Sequence, residues 1–203
     1  MPAIGITGGV ATGKSTFCDC LPRIFPNAKF FDADTAAHEL LDLVEIKAEL
    51  GNLFGPEIFL GMGGLNREAL RVIVFRDAAK RRALEQILHP RIRRQWSALA
   101  ETHRDSTKFF FADIPLLYET DGQKLCDRVV VVACSREIQL ARLMNKKAIG
   151  RDEAEQIMNA QMPLEEKIRR ADHVVWNNGD RSILEDQTRL LAALWNSQRW
   201  TKV

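Results

Sequence analysis

The 203-residue sequence predicts an α/β fold in which helices cover both faces of a parallel β-sheet. Three observations support this prediction. Apolar, β-rich runs alternate with amphipathic helical segments. A glycine-rich turn joins the first run to the first helix. A helical stretch of about sixty residues, longer than one crossover helix needs, interrupts the alternation. With 46% apolar residues the chain can build a substantial core, and we expect one core domain carrying a helical insertion.

The glycine-rich turn fits the motif Gly, four residues, Gly-Lys-Ser/Thr, with Gly8, Gly13, Lys14 and Ser15 at the defining positions. A strand precedes it and a helix follows, which is the context that the motif requires. Glycines let successive backbone N–H groups point into the turn, where the helix adds its positive end. Lys14 supplies charge to the β- and γ-phosphates and the Ser15 hydroxyl completes the coordination of Mg²⁺. The motif therefore predicts that the chain binds a nucleotide through its phosphates.

The predicted elements follow from hydrophobic period and turn residues. Strands are predicted at residues 3–7, 28–31, 108–112, 128–134 and 173–176. Outside the insertion, helices are predicted at residues 14–21, 35–43, 136–144 and 182–195.

Carboxylates follow the second and third predicted strands. Asp32 and Asp34 come after the second strand and Asp113 after the third. Because ligands gather at the carboxyl ends of parallel strands, we expect these side chains at the same edge as the phosphate loop. Asp113 is placed to order the hydration shell of Mg²⁺. Two structural alternatives stay open: Asp34 as a helix N-cap, and Asp113 as an ordinary turn residue before Pro115.

The insertion, residues 45–104, is strongly basic in its second half. Residues 66–95 hold nine Lys or Arg and three Asp or Glu, a net charge of +6. This face suits a phosphorylated acceptor, although for the Lys80-Arg81-Arg82 run taken alone a solvated helix face is the favoured explanation. His89-Pro90 reads as a helix start, with Arg91 and Arg93 on its first turns.

A second basic segment, Asn145 to Arg151, reads as a glycine-containing loop between two helices. Such a loop can close over ATP as a lid, excluding water and adding cations around the transferring phosphoryl group. A solvated surface loop would also be basic, so that alternative stays open.

Composition excludes several classes. A net charge of +2 gives no argument for nucleic acid or a membrane surface as partner. The cysteines, at positions 18, 20, 126 and 134, have no Cys-x-x-Cys spacing, so neither a zinc site nor a redox dithiol is predicted. No charged-then-apolar leader and no apolar run near the ~20 residues of a membrane span is present, and we expect a cytoplasmic enzyme with reduced thiols.

Over essentially its whole length the sequence resembles the dephospho-coenzyme A kinase family. The resemblance rests on several motifs in the family's order. They are the opening Gly5-Ile6-Thr7-Gly8-Gly9 through Lys14-Ser15, Phe31-Asp32-Ala33-Asp34, His89-Pro90, Asp113 to Glu119, Gln139 to Leu143, Gln161-Met162, Ala171-Asp172 and Asn177-Asn178-Gly179.

The resemblance implies a three-layer P-loop kinase core with a five-stranded parallel sheet like that of nucleoside-monophosphate kinases, a helical coenzyme-A-binding lobe and a small lid. It implies transfer of the ATP γ-phosphoryl group to the ribose 3′-hydroxyl of dephospho-coenzyme A. The sequence leaves both a monomer and a small homo-oligomer open. The implied core is residues 1–35, 106–144 and 153–203, the lobe 36–105 and the lid 145–152.

The same resemblance implies roles for particular residues. The implied catalytic residues are Asp34, Lys14 and Arg142, with Asp34 facing the acceptor hydroxyl. Nucleotide contacts are implied at Gly8, Gly9, Ala11, Thr12, Gly13, Lys14, Ser15, Thr16, Lys146, Asn177, Asn178 and Gly179. Acceptor contacts are implied at Asp34, His89, Arg93, Leu116 and Glu119, and Mg²⁺ contacts at Ser15, Asp32 and Asp113.

Two departures from the family pattern matter. The family loop has Gly and Ser where this chain has Ala11 and Thr12, which removes the freedom of one position to adopt positive φ. We expect Ala11 to stay helical or extended. Four residues after Arg142 the family has a second arginine and this chain has Lys146, which keeps the charge without the bidentate fork.

Two other functions remain open from the residues. One is another small-molecule kinase of the same fold, acting on a nucleoside or nucleotide. The other is a P-loop regulatory switch, which is disfavoured because Ala148 cannot accept a hydrogen bond from guanine where Asn145-Lys146-Lys147-Ala148 would need an Asp.

Overall fold

The computed structural model describes residues 2–61, 63–102 and 108–197. The strands β1 to β5 span Ala3–Gly8, Lys29–Asp32, Phe110–Asp113, Arg128–Ala133 and His173–Trp176. The helices α1 to α10 span Lys14–Cys18, Leu21–Ile24, Ala33–Asp42, Val44–Phe54, Arg67–Arg76, Ala78–Thr102, Arg136–Lys147, Arg151–Asn159, Leu164–Arg170 and Arg181–Ser197. Short 3₁₀ turns lie at Pro56–Ile58 and Gly122–Leu125.

Within the described ranges the five strands form one sheet in the order β2-β3-β1-β4-β5. The central strand β1 pairs in parallel with β3 and β4, and β4 pairs in parallel with β5. All six residues of β1 are buried, as expected for a parallel strand covered on both faces. The predicted α/β fold with a five-stranded parallel sheet is confirmed.

The chain divides into two compact units. The first comprises the described parts of Met1–Phe31 and Leu99–Val203, and the second is Asp32–Ala98. The predicted boundary between residues 105 and 106 lies outside the described residues. The core of the first unit contains Ile4, Ile6, Phe17, Leu21, Phe25, Phe109, Phe111, Val130, Val132, Val175, Leu184, Ala192 and Trp195. The core of the second unit contains Leu40, Leu41, Ile46, Leu50, Phe54, Ile58, Leu70, Ile87 and Leu88.

Two helix predictions near prolines were wrong. The first helix ends at Cys18 instead of residue 21, because Pro22 has no N–H to donate to the Cys18 carbonyl; Pro22 lies instead in the first turn of α2. Pro90 does not start a helix, since α6 runs through it for 25 residues. The Arg91 guanidinium donates to the Ile87 carbonyl at 2.8 Å in the same turn. Arg91 also pairs with Glu49, at 2.5 Å, in the same unit.

The predicted lid loop is mostly helical. Helix α7 continues to Lys147 and α8 begins at Arg151, so only residues 148–150 connect them. The last turn of α7 carries Lys146 and Lys147, whose positive charges favour the carboxyl end of a helix. Ala148 then ends α7 in the left-handed conformation, with φ 52°. A basic, glycine-containing sequence was therefore wrongly predicted as loop where it extends a helix.

Candidate active site

The phosphate loop runs from the end of β1 to the start of α1. Gly13 precedes α1 with φ 91°, a conformation that glycine adopts without strain. A Cβ at this position would lie only 1.9 Å from Asn177 Nδ2, so space also demands glycine. The Thr12 hydroxyl donates to the Gly9 carbonyl at 2.9 Å and closes the turn from inside. The loop thus has the tight curvature that its motif predicts.

Ala11 adopts the left-handed conformation, with φ 60°. The expectation that Ala11 stays helical or extended was therefore wrong. The loop keeps a positive φ at this position although alanine carries a Cβ, because its neighbours are held by hydrogen bonds from other parts of the chain. A single left-handed residue costs roughly 1–2 kcal/mol, which a few such bonds offset.

Three side chains that are distant in sequence hydrogen-bond to the backbone of the loop. Gln139 Nε2 on α7 donates to the Val10 carbonyl at 2.7 Å, and Gln161 Oε1 accepts from the Val10 N–H at 3.1 Å. Asn177 Nδ2, just after β5, donates to the Thr12 carbonyl at 2.8 Å and is buried. The Val10 N–H and the Val10 and Thr12 carbonyls are thereby satisfied by side chains from outside the loop.

The functions of these braces were not predicted. Gln139 and Gln161 appeared only as matches to a family motif, and Asn177 was assigned to the nucleotide. The neighbouring Asn178 accepts from the Ser135 N–H at 2.8 Å, at the start of α7. The Asn177 side chain therefore holds the phosphate loop, and the Asn178 side chain holds the backbone between β4 and α7. An adenine contact by this turn stays a prediction.

Lys14 forms an ion pair with Asp113 at the end of β3. Both side chains are 15% exposed, so the pair is mostly shielded from water. The Cys18 thiol, one turn after Lys14, donates to the other Asp113 oxygen at 3.2 Å. The parallel register, which places Asp113 opposite Ile6 of β1, brings this strand-end carboxylate to the loop. The ordinary-turn alternative does not account for this pairing.

Arg142, on α7, lies beside the loop. One of its terminal nitrogens, Nη1, is buried and has no hydrogen-bond acceptor among the residues that the structure describes. A Cβ on Gly13 would lie 3.8 Å from this nitrogen. Burial raises the pKa of the adjacent Cys134 thiol, and the charge and hydrogen bond of Arg142 oppose that rise. A partly buried guanidinium whose Nη1 donor is unused, beside a phosphate loop, is suited to an anion.

Lys167, on α9, is fully buried and was missed by the sequence reasoning. Its ammonium donates to the Gly8 carbonyl at 3.3 Å and to the Pro115 carbonyl at 2.8 Å, and it pairs with Glu119 at 3.0 Å. The Glu119 carboxylate also accepts from the Met162 N–H at 3.0 Å. The predicted contact of Glu119 with the acceptor stays a prediction beside this observed pairing.

In the second unit, the carboxylates at the end of β2 and the start of α3 have different local roles. Asp32 caps α3 by accepting from the N–H groups of Asp34 and Thr35, at 2.8 and 3.2 Å. The alternative that Asp34 is the N-cap was wrong, because α3 begins at Ala33 and includes Asp34 in its first turn. Asp34 is exposed there. The cap at Asp32 therefore fixes the start of the helix that carries Asp34.

The other predicted acceptor residues lie on two elements. His89 and Arg93 are one helical turn apart on α6 and so share a face. Burial lowers the pKa of His89, and the nearby Glu85 opposes this. Leu116 is partly buried in the turn that follows β3.

The described residues contain no cluster of three or more His, Cys, Asp or Glu side chains suited to a metal ion. Mg²⁺ needs no such cluster, since it usually combines one or two side-chain oxygens with phosphate oxygens and water. The exposed Ser15 hydroxyl at the start of α1, with Asp113 nearby through its bond to Lys14, fits that ligand set. Within the described ranges no helix combines the length and the apolar character needed to traverse a bilayer.

A parallel sheet whose central strand leads through this loop, with Lys14 beside a strand-end carboxylate, defines a P-loop protein of the small-molecule kinase type. Residues 2–182 match the sequence profile of the family described as dephospho-CoA kinase. The chain belongs to the dephospho-CoA kinase family, and this disfavours both alternative functions.

Curated relatives agree with this assignment. The chain is 38% identical over 200 residues to dephospho-CoA kinase of Symbiobacterium thermophilum, covering 97% of this chain and 81% of the relative. It is 41% identical over 199 residues to dephospho-CoA kinase of Anaeromyxobacter dehalogenans, covering 96% and 92%. Enzymes of this name are ATP-dependent kinases.

Solved structures show the same fold. A Campylobacter jejuni dephospho-CoA kinase has a TM-score of 0.71 at 25% identity, over 94% of this chain and 95% of the other. A Thermus thermophilus protein has a TM-score of 0.78 at 33% identity, over 98% of both chains. A shikimate kinase from Aquifex aeolicus has a TM-score of 0.54 at 17% identity, over 96% and 98%, and shares the fold alone.

Proposed function

We propose that this protein transfers the γ-phosphoryl group of ATP to the ribose 3′-hydroxyl of dephospho-coenzyme A, giving coenzyme A and ADP. The observation that carries the proposal is the phosphate loop with its two nearby cations. Lys14 lies at the strand-end Asp113, and Arg142 has an unused buried donor beside Gly13. In a chain of this family, these groups are suited to the triphosphate of ATP.

In this proposal the loop and its cations stabilise the charge that develops during phosphoryl transfer. The loop N–H groups and Lys14 hold the β- and γ-phosphates, and Arg142 donates to the oxygens of the transferring group. Lys14 has three N–H donors, so it can keep Asp113 as a partner and still bind phosphate. Lys146 adds a further positive charge from the last turn of α7.

Mg²⁺ would be held by the Ser15 hydroxyl and by water ordered on the Asp113 carboxylate. Asp32 is the third residue proposed to contact the ion. When bound, the ion neutralises part of the charge on the β- and γ-phosphates. Asp32 already uses one carboxylate oxygen, Oδ1, to cap α3. Its second oxygen is the atom available for that role.

Asp34 is the proposed general base. Its carboxylate accepts the proton of the acceptor hydroxyl as that oxygen forms its bond to the γ-phosphorus, while the bond to the bridging oxygen of ADP breaks. Asp34 is exposed in the first turn of α3, and the Asp32 cap fixes the start of that helix. His89, Arg93, Leu116 and Glu119 are the proposed acceptor contacts, and residues 36–105 the proposed acceptor lobe. Residues 145–152 remain the proposed lid. They comprise the end of α7, the connection at residues 148–150 and the start of α8.

Acceptor identity is tested with a panel of dephospho-coenzyme A, AMP, CMP, shikimate and pantothenate, each with ATP and Mg²⁺, by measuring ADP release. We expect turnover of dephospho-coenzyme A. Turnover of another acceptor with dephospho-coenzyme A inert would refute the proposal.

The base is tested with Asp34→Asn, which keeps the size of the side chain and removes its basicity. We expect kcat to fall about a hundredfold or more, with the KM for ATP nearly unchanged. Asp42→Asn is the matched control, because Asp42 lies on the same helix and its side chain is 62% exposed. A loss below about threefold in Asp34→Asn would remove this residue from the base role.

A further inference from the structure

Lys167 is a charged side chain with no exposed surface. A buried ammonium is costly unless each of its donors meets an acceptor. Here the three donors of lysine meet three oxygens: the Gly8 carbonyl at 3.3 Å, the Pro115 carbonyl at 2.8 Å and Glu119 Oε1 at 3.0 Å. The number of donors therefore equals the number of acceptors, and one of those acceptors carries the balancing charge.

The three acceptors belong to segments whose relative positions determine the geometry of the nucleotide site. Gly8 is the last residue of β1 and the first of the phosphate loop. Pro115 lies two residues after Asp113, the partner of Lys14. Its carbonyl also accepts from the Thr7 hydroxyl, at 2.9 Å, so two buried donors converge on it. Lys167 thus connects the start of the loop to the turn that follows the strand-end carboxylate.

The same ammonium also connects these segments to the linker between α8 and α9. Glu119 Oε1 accepts from Lys167 and from the Met162 N–H, at 3.0 Å each. The preceding residue, Gln161, accepts from the Val10 N–H at 3.1 Å. The linker is therefore connected to the loop directly, through Gln161 and Val10, and indirectly, through Glu119 and Lys167.

We propose that Lys167 is a positioning residue that holds the phosphate loop against the Asp113 turn, and so sets where Lys14 and the loop N–H groups meet the nucleotide phosphates. The nucleotide part of this proposal rests on the function proposed above, but the identity of the acceptor does not enter it. Burial lowers the pKa of Lys167, Glu119 opposes this, and the charge of Lys14 adds to the lowering, which agrees with the two cations lying near each other.

Lysine is specific for this position because of its geometry. The planar fork of arginine directs its donors within one plane, whereas three separate oxygens surround the Lys167 ammonium. Lys167→Met keeps most of the volume and removes all three donors. Lys167→Arg keeps the charge but should not restore function. Lys124→Met is the control, because the Lys124 side chain is 65% exposed in the same unit.

The test measures binding of Mg·ADP by calorimetry, together with kcat and the KM values for ATP and dephospho-coenzyme A. ADP binding needs the loop and not the acceptor. We expect Lys167→Met to weaken ADP binding and to lower kcat/KM for ATP by about ten- to a hundredfold, since a displacement near 1 Å has effects of this size. The KM for dephospho-coenzyme A should change less than about threefold, and Lys124→Met should behave as wild type.

A purely structural role would lower the melting temperature but leave ADP affinity and the kcat per folded molecule unchanged, and that result would overturn the proposal. If Lys167→Met does not fold, the double variant Lys167→Met/Glu119→Gln decides, because it leaves no unpaired carboxylate. Wild-type ADP affinity in that folded variant would also overturn it. Wild-type protein that binds ADP but does not phosphorylate dephospho-coenzyme A would refute only the proposed acceptor, and the ADP comparison would still decide on Lys167.

Discussion

Replacing Ala148 by glycine should stabilise the protein. Ala148 ends α7 with φ 52° and ψ 44°, and its N–H donates to the Met144 carbonyl. A residue with a Cβ costs roughly 1–2 kcal/mol in this left-handed region. Ala148 is exposed, so removing its methyl group loses little packing. Glycine gains more freedom in the unfolded chain, which offsets about 0.4–1 kcal/mol.

The net gain is centred on about 0.8 kcal/mol, which raises the melting temperature of a chain of this size by roughly 2–3 °C. The assay is urea unfolding of the ligand-free protein, followed by far-UV circular dichroism. The m-value should stay constant, so that a shift of midpoint reports stability alone.

Ala141→Gly is the matched control, because Ala141 is exposed on the same helix at a right-handed position. There glycine should destabilise by about 1 kcal/mol. Replacing alanine by glycine should therefore lower the free energy of unfolding at residue 141 and raise it at residue 148, seven residues further on. If Ala148→Gly destabilises the protein as much as Ala141→Gly does, the left-handed conformation of Ala148 is refuted.

Two further predictions concern buried polar groups in the first unit. Tyr118→Phe should be neutral or stabilise by up to about 1 kcal/mol, because its buried hydroxyl has no hydrogen-bond partner among the described residues and burial raises its pKa to about 12; a loss above about 1 kcal/mol in urea unfolding would contradict this. His173→Gln should reduce the acid sensitivity of stability. Burial lowers the pKa of His173 in the folded state, so its contribution is present above the unfolded pKa of about 6.5 and is lost as pH falls through the folded pKa. Urea midpoints of the wild type and the variant at about pH 5 and 7.5 measure how much stability is lost in acid. An equal loss in both proteins would contradict the prediction. Part of the loss of stability in acid should remain in the variant, since burial also lowers the pKa of His89.

The sequence predicted the strands well because each is a short, strongly apolar or β-branched run. The strand at His173–Trp176 matches its predicted bounds, and the run from Arg128 is one residue shorter than predicted. Helix ends were less predictable, because they depend on which side chain caps the helix and on the hydrogen bonds of the residues that flank it. Asp32 and Asp34 are both good caps by type, and only the backbone shows that Asp32 accepts from the first turn.

The candidate site was predictable where spacing and topology decide. The loop motif specifies its own turn, and parallel strand ends bring Asp113 to it. Lys167 could not be found this way. It lies in the segment Leu164–Arg170, where neighbouring charges predict a solvated helix, and the oxygen that it meets on Gly8 is 159 residues away in sequence. Burial of one lysine among exposed ones is a long-range property that local pattern does not contain.

The long-range bonds also explain how this loop holds an alanine where positive φ is required. The bonds from Gln139, Gln161 and Asn177 span 129 to 165 residues and reach the residues on either side of Ala11. Each contributes about 0.5–1.5 kcal/mol, so the three together match or exceed the cost of one left-handed alanine, roughly 1–2 kcal/mol. The loop sequence is therefore free to depart from glycine as long as these braces persist. Because the braces enforce the φ, loss of Gln139 or Asn177 should expose the strain at Ala11 that the intact protein tolerates.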